Sequence, residues 1–176
     1  MASKVKVAEF LKESNAIEGV YSEEALADAQ VAWNYAMEND LGNPDVQITI
    51  DHVLGIHQRL MTNLESRIAG KFRTCAVYIG NRECPKPSSE VELTNAIKLQ
   101  ALDDLNDSKG KRELSLHKRD RLAKAKHVAF EHVHPFEDGN GRTGRILYNI
   151  HRLRLGLHVH TIFDAKKQSY YQWFKD

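Results

Sequence analysis

Two cysteines, four prolines and no surplus of either charge leave several protein classes without support in this 176-residue chain. Cys75 and Cys84 are too few and too poorly spaced for a disulfide framework or a C-x-x-C metal knuckle, which favours reduced thiols in a cytoplasmic setting. Lys and Arg number 25 against 24 Asp and Glu, a net charge of +1, so composition gives no reason to expect nucleic acid or an anionic membrane as partner. No apolar run approaches the length of a membrane span. Lys4, Lys6, Lys12 and Glu13 interrupt the stretch where a signal peptide would need its apolar segment. Internal repeats and low-complexity segments are missing too. What is there, 41% hydrophobic residues, suffices for the core of a single domain.

Apolar residues recur mainly at three- and four-residue intervals, which predicts a mostly α-helical bundle. The first helix presents Val5, Ala8, Phe10 and Leu11 and stops at Gly19, a residue suited to a helix C-terminus. Ser22 can cap a second helix, with Leu26, Ala29, Ala32, Trp33 and Ala36 facing inward, and Leu41-Gly-Asn-Pro44 breaks it. Thr49 or Asp51 can cap a third, with Val53, Leu54, His57, Leu60, Met61 and Leu64 at helical spacing. Residues 71–82, KFRTCAVYIGNR, change the pattern: Phe72, Val77, Tyr78 and Ile79 favour extended structure ahead of a Gly80-Asn81 turn. After Cys84-Pro-Lys-Pro87, Ser88 or Ser89 can start a helix bearing Leu93, Ala96, Ile97 and Ala101, and Asn106 to Glu113 reads as a polar loop. A further helix carries Leu122, Ala125, Ala129, Phe130 and Val133 up to Pro135, and a last long one runs from Asn140 towards Gly156.

Between those two helices lies HPFEDGNGRTGR, residues 134–145, with a histidine, two carboxylates, an amide, three glycines and two arginines. Each glycine costs roughly 1 kcal/mol against alanine inside a helix, so a merely solvent-facing helix would not choose them. Gly139 and Gly141 around Asn140 let backbone N–H groups converge, and the helix that follows directs its unpaired N–H groups and positive dipole end at the same point. Arg142 and Arg145, three apart, can both reach round that end to phosphate oxygens. Asp138 is a hard oxygen ligand of the kind Mg²⁺ takes alongside phosphates and water. His134 can accept a proton near neutral pH. Together these groups describe transfer of a phosphate-containing group from a nucleotide to a hydroxyl.

Other readings fit less well. GNGRTG satisfies G-x-G-x-x-G, and Asp164 falls twenty residues after Gly144, but a helix rather than a buried strand precedes the glycines. The pairs His132/His134 and His158/His160 lack a third ligand at a diagnostic spacing for zinc. His57 and His127 sit among apolar positions and read as core histidines.

Every fixed position of H-x-F-x-[DE]-G-N-G-R-x-x-R is present between His134 and Arg145, and in this the chain resembles the Fic-domain enzymes. The resemblance extends to GKFRTCAVYIG, similar to a flap hairpin, to the helix around His57, and to Tyr170-Tyr171, similar to a tail segment near the nucleotide. It implies the Fic fold, a helical bundle with a short β-hairpin flap beside the active site. It also implies AMPylation, in which ATP gives AMP to a Ser, Thr or Tyr hydroxyl of a target protein and pyrophosphate leaves. On that basis His134 is the general base, Phe136 an apolar anchor and Asp138 the Mg²⁺ ligand. Gly139, Asn140 and Gly141 form the phosphate cradle, Arg142 and Arg145 hold the β- and γ-phosphates, and Tyr170 and Tyr171 lie near the nucleotide. The flap residues Thr74, Cys75, Ala76, Val77, Tyr78 and Ile79 present a strand edge to the target.

Ser14-Asn-Ala-Ile-Glu18-Gly19 is similar to the family's inhibitory pattern [ST]-x-x-x-E-[GN]. It implies that residues 1–21 form an N-terminal inhibitory helix on a catalytic domain of residues 22–176, with Glu18 pairing with Arg145 where a γ-phosphate would bind. De-AMPylation, in which Glu18 orients water, and a toxin-like binding partner without activity are the alternative functions. Homo-oligomerisation is compatible with the chain.

Overall fold

Side-chain caps set where the helices begin in the computed structural model, which describes residues 4–175, with the backbone alone at Asp104. The first three residues of the expected inhibitory segment, and Asp176, lie outside the described residues. Helix α1 spans Lys4–Ile17 and α2 spans Glu23–Glu38, where the Ser22 hydroxyl accepts from the Ala25 N–H. Thr49 caps α3, Ile50–Met61, and Ser89 caps α4, Glu90–Ile97. A π-turn over Lys98–Leu102 leads into the short α5, Asp103–Asn106. Ser115 caps α6, Leu116–Val133, which is followed by α7, Asn140–Arg154, and near the end by α8, Lys167–Tyr171. The π-turn departs from the regular helix that Leu93, Ile97 and Ala101 suggest; its extra residue lets the neighbours Ala101 and Leu102 both enter the core.

One continuous core joins Phe10 and Leu11 of α1, Trp33 of α2, Ile56 and Leu60 of α3, Phe130 of α6 and Ile146, Leu147 and Ile150 of α7. Helix α7 runs through its centre and buries not only apolar residues but Arg142, Arg145, Asn149 and Arg154. Such polar groups are tolerated inside only where they find partners. Arg154 finds backbone carbonyls: it donates to Leu105 at 2.8 Å, Asn43 at 2.7 Å, and Leu41 and Val46 at 3.0 Å each. It thereby ties the irregular 39–49 segment to the core. Arg154→Ala would strand several buried acceptors, and urea unfolding is expected to show a loss of roughly 3 kcal/mol or more.

Two helices present different faces from those the apolar residues suggest. Val5 and Ala8 are exposed on α1, and the inward stripe is Val7, Phe10, Leu11, Ser14, Asn15 and Ile17. On α6, Ala125 is exposed, and Ala123, His127, Phe130, Glu131 and Val133 face inward. In both cases polar residues occupy part of the buried face, so an apolar-only pattern points a fraction of a turn away. The 106–113 stretch is also less open than a polar loop. Asn106 pairs with both backbone groups of Ile48, and a 3₁₀ turn covers Lys109–Glu113.

The hairpin is shorter than KFRTCAVYIGNR suggests. Strand β1, Val77–Ile79, pairs antiparallel with β2, Arg82–Cys84, about the Gly80-Asn81 turn, whereas Thr74, Cys75 and Ala76 stay outside the ladder. Buried Arg73 supplies the physical reason, because it takes the Cys75, Cys84 and Pro85 carbonyls on its guanidinium. The sheet has two strands, which leaves the outer edge of β1 without a strand partner among the described residues.

Candidate active site

The motif loop is held by its own residues and by two from elsewhere. His134 closes α6 in the left-handed conformation, φ 46°, and Gly139 opens α7 with φ 78°, so the chain reverses between two left-handed turns. The Asn140 side chain clamps the bend, accepting from the Phe136 N–H at 2.8 Å and donating to the Phe136 carbonyl at 2.9 Å. Its amide is thus spent on the loop, and only its backbone N–H is left for an anion. Phe136 is fully buried and stacks on the His57 ring, centroids 3.7 Å apart and planes 2° apart.

His57 does more than fill the core. Its Nε2 donates to the Asp138 carbonyl at 2.9 Å while Nδ1 accepts from the Gly70 N–H at 3.0 Å. Both bonds need a neutral ring, and burial pushes its pKa down to about 4. From the other side Arg73 Nε donates to the His134 carbonyl at 2.7 Å. Sequence reasoning gave neither residue a part in the site. The only signals for them are a histidine among apolar helix positions and an arginine in a stretch that reads as extended, which do not distinguish loop-holding from ordinary packing.

His134 Nδ1 donates to the Glu131 carbonyl at 3.1 Å, which leaves the Nε2 lone pair free. Burial, with Arg73 and Arg82 adding to it, holds the imidazole below its ordinary pKa, so it is unprotonated at neutral pH. A neutral imidazole able to accept a proton at Nε2 therefore stands at the start of the loop that leads into α7. The first backbone bond of that helix runs from Thr143 N–H to the Gly139 carbonyl, so the N–H groups of residues 140–142 precede the ladder at its positive end.

Two buried guanidiniums flank this end. Arg142 has Nε and Nη1 without a hydrogen-bond partner among the described residues, while Nη2 lies 3.5 Å from Asp138 Oδ2. Arg145 is engaged throughout. Its Nε donates to Ser14 Oγ at 2.8 Å, Nη2 to the Ser14 carbonyl at 2.8 Å and to Glu18 Oε1 at 2.7 Å, and Nη1 to the Tyr170 hydroxyl at 3.3 Å. A Cβ on Gly141 would overlap the Glu18 carboxylate, so this glycine keeps open the space in which the anion sits.

Glu18 reaches Arg145 because of how α1 ends. Gly19, φ 71°, donates to the Ala16 carbonyl and Val20 to Asn15, a Schellman closure that fixes the preceding residue against the body. Ser14 and Glu18 lie one turn apart on the stripe that carries Phe10 and Leu11 inward. The tail pair divides: Tyr170 is buried on Arg145 and His127, whereas Tyr171 is partly exposed beside it. Asp138 stands at the mouth, its Oδ1 accepting from the Gly139 N–H at 2.6 Å and most of its carboxylate open to solvent.

A helical bundle with a two-stranded hairpin beside the N-terminus of a central helix defines a class of folds, and known proteins share it. The chain belongs to the Fic/DOC family, whose model matches residues 47–151. It is 33% identical over 130 residues to the protein adenylyltransferase Fic of Drosophila willistoni, covering 74% of this chain and 24% of that protein. It is 37% identical over 110 residues to protein adenylyltransferase fic-1 of Caenorhabditis elegans, covering 62% and 20%. The chain thus spans about a quarter of the length of the curated relatives it matches. The fold is shared with the solved structure of Fic-1 from C. elegans, TM-score 0.75 at 23% identity over 97% of this chain and 55% of that one. A Fic-domain signalling protein from Bacteroides thetaiotaomicron gives 0.74 at 21% identity over 96% and 70%. No described helix is long and apolar enough to cross a membrane.

Proposed function

We propose that this chain transfers AMP from ATP to a Ser, Thr or Tyr hydroxyl of a target protein, and that Glu18 restrains the transfer by occupying Arg145. The observation that carries the reading is the pair of buried guanidiniums at the α7 N-terminus. Arg142 has two nitrogens without a partner among the described residues, and Arg145 is held by a carboxylate standing where a phosphate would bind. The names of the curated relatives agree with it. The hydroxyl oxygen bonds to the α-phosphorus, the bond to the bridging oxygen breaks, pyrophosphate leaves, and the hydroxyl proton passes to His134 Nε2. Little covalent work falls to the protein, so positioning and charge do most of the catalysis. Arg142 and the N–H groups of residues 140–142 hold phosphates, the Gly139 N–H being taken by Asp138 Oδ1, and Arg145 takes the γ-phosphate once Glu18 withdraws.

Asp138 suits Mg²⁺. It is a single exposed carboxylate beside the phosphate cradle, and no group of three or more His, Cys, Asp or Glu converges into a metal cage among the described residues. That is the setting Mg²⁺ accepts, with phosphates and water completing its shell and its charge offsetting theirs. The unpaired edge of β1 would take the target's backbone as an added strand. Beside the hairpin a cleft of about 580 Å³, lined by Leu54, Phe72, Thr74 and Pro87, offers room for the flanking chain.

Glu18 also supports the reverse reading, removal of AMP, since only Oε1 is bound to Arg145 and the side chain stays 37% exposed, within reach of an attacking water. The test is incubation of the Glu18→Gly form with Mg²⁺ and ATP labelled at the α- or the γ-phosphate, followed by gel analysis of the protein and a lysate. Label from α alone is expected. Label from γ alone would make the protein a kinase, and none from either would leave a binding partner without activity.

A further inference from the structure

A buried carboxyl beside the base has no part in the transfer chemistry. Glu131 is on the inner face of α6, 7% exposed, with Oε1 lacking a hydrogen-bond partner among the described residues. Its Oε2 lies 3.9 Å from His134 Nδ1 and its Oε1 4.0 Å from His127 Nδ1. Opposite it on α7 stands Gly144, where a Cβ would overlap Oε1, so the carboxyl fills a space that the neighbouring helix leaves for it.

This carboxyl closes a chain of buried polar groups that begins at the inhibitory residue. Glu18 holds Arg145, and Arg145 donates to the Tyr170 hydroxyl. The Tyr170 hydroxyl, which already accepts from Arg145, lies 2.7 Å from His127 Nε2; with the hydroxyl as donor there, the His127 proton stands on Nδ1, the nitrogen facing Glu131. Beyond Glu131 comes His134. The chain therefore runs from the anion on Arg145 to the back of the base without passing through solvent.

Its electrostatics make the two ends dependent on each other. Burial pushes the Glu131 carboxyl up to about 8, the Arg145 charge pulls it down, and the Glu18 charge pushes it up again. The other groups facing this pair are His127, which burial and Arg145 keep neutral by pushing it down to about 3, and Arg73 and Arg82, which disfavour a proton on His134. Glu18 acting directly on His134 favours that proton.

We propose that Glu131 is a positioning residue that stays a neutral carboxylic acid while an anion sits on Arg145, and so keeps the His134 imidazole unprotonated in that state. The role of His134 as base rests on the function proposed above. With Arg145 bare, the carboxyl releases its proton to solvent. A carboxylate 3.9 Å from Nδ1 then favours the imidazolium, which cannot accept a hydroxyl proton. Glu18 and a nucleotide phosphate are equivalent in this respect, so arrival of the phosphate on Arg145 leaves the base ready.

The titration of His134, followed through its ring carbon by NMR and assigned with His134→Gln, tests this without nucleotide. The midpoint in Glu18→Gly is expected to lie about one pH unit above that of the unsubstituted protein. Inorganic pyrophosphate should bring it back, and Glu18→Gly/Glu131→Gln should show no rise. The sign is diagnostic, because loss of Glu18 acting directly on His134 would lower the midpoint. An equal or lower midpoint in Glu18→Gly, or a rise that persists with Glu131→Gln, would overturn the proposal. If the double variant fails to fold, the labelled Glu131 carboxyl carbon decides: its midpoint should be lower in Glu18→Gly, and an unchanged midpoint overturns the coupling. Failure of label transfer from ATP would sink the proposed reaction and leave these titrations standing.

Discussion

His134→Ala is expected to reduce AMP transfer by roughly 10²–10⁴-fold, the range a positioned general base contributes. The geometry makes this a loss of chemistry rather than of binding. The imidazole is fixed by one bond from Nδ1 to the Glu131 carbonyl, which leaves Nε2 free, and it holds neither of the arginines that would grip phosphate. Single-turnover labelling from α-labelled ATP in the Glu18→Gly background should therefore fall while the affinity for Mg²⁺ and ATP, read by calorimetry, stays within a few fold. The pH profile of the parent gives a second reading. Because burial holds His134 below 6.5, its acid limb should lie below that value once phosphate is on Arg145. Substantial labelling by His134→Ala would contradict the assignment of the base.

Glu18→Gly is expected to raise labelling about a hundredfold, the scale on which a misplacement of about 1 Å costs rate. The argument depends on what the substitution leaves in place. Helix α1 is anchored by Phe10 and Leu11, each 1% exposed and each contributing roughly 1.5–3 kcal/mol by burial, and by Glu13, which accepts from the Asp164 N–H at 2.8 Å. The Glu18–Arg145 pair adds little to that anchorage, since its carboxylate is more than a third exposed and screened by solvent. Ser14 keeps its two bonds to Arg145, so the guanidinium stays where it is with one N–H of Nη2 released. Removal of the carboxylate thus opens the phosphate position and leaves the helix docked. Equal labelling by both forms would show that Glu18 does not restrain the enzyme.

Helix boundaries and the motif could be read from the residues because both rest on local chemistry. Ser22, Thr49 and Ser89 cap the helices they are placed to cap, and residues 134–145 form the loop and helix N-terminus that their glycines and arginines require. What could not be read depends on partners distant in sequence. Glu131 looks like a surface residue until the face of α6 is known, and that face is turned by the polar groups buried there. Arg73 interrupts a stretch that reads as a strand because the carbonyls it serves include those of Cys84 and Pro85, ten or more residues further on. His57 looks like core filling because its bond to the Asp138 carbonyl spans 81 positions.

The proposed competition at Arg145 is tested most directly by crystal structures of the unsubstituted protein and of Glu18→Gly, each with Mg²⁺ and a non-hydrolysable ATP analogue. The account predicts Glu18 on Arg145 and a displaced γ-phosphate in the first, and the γ-phosphate in the place of the carboxylate, with the α-phosphorus facing the β1 edge, in the second. Phosphates in the same positions in both structures would contradict it.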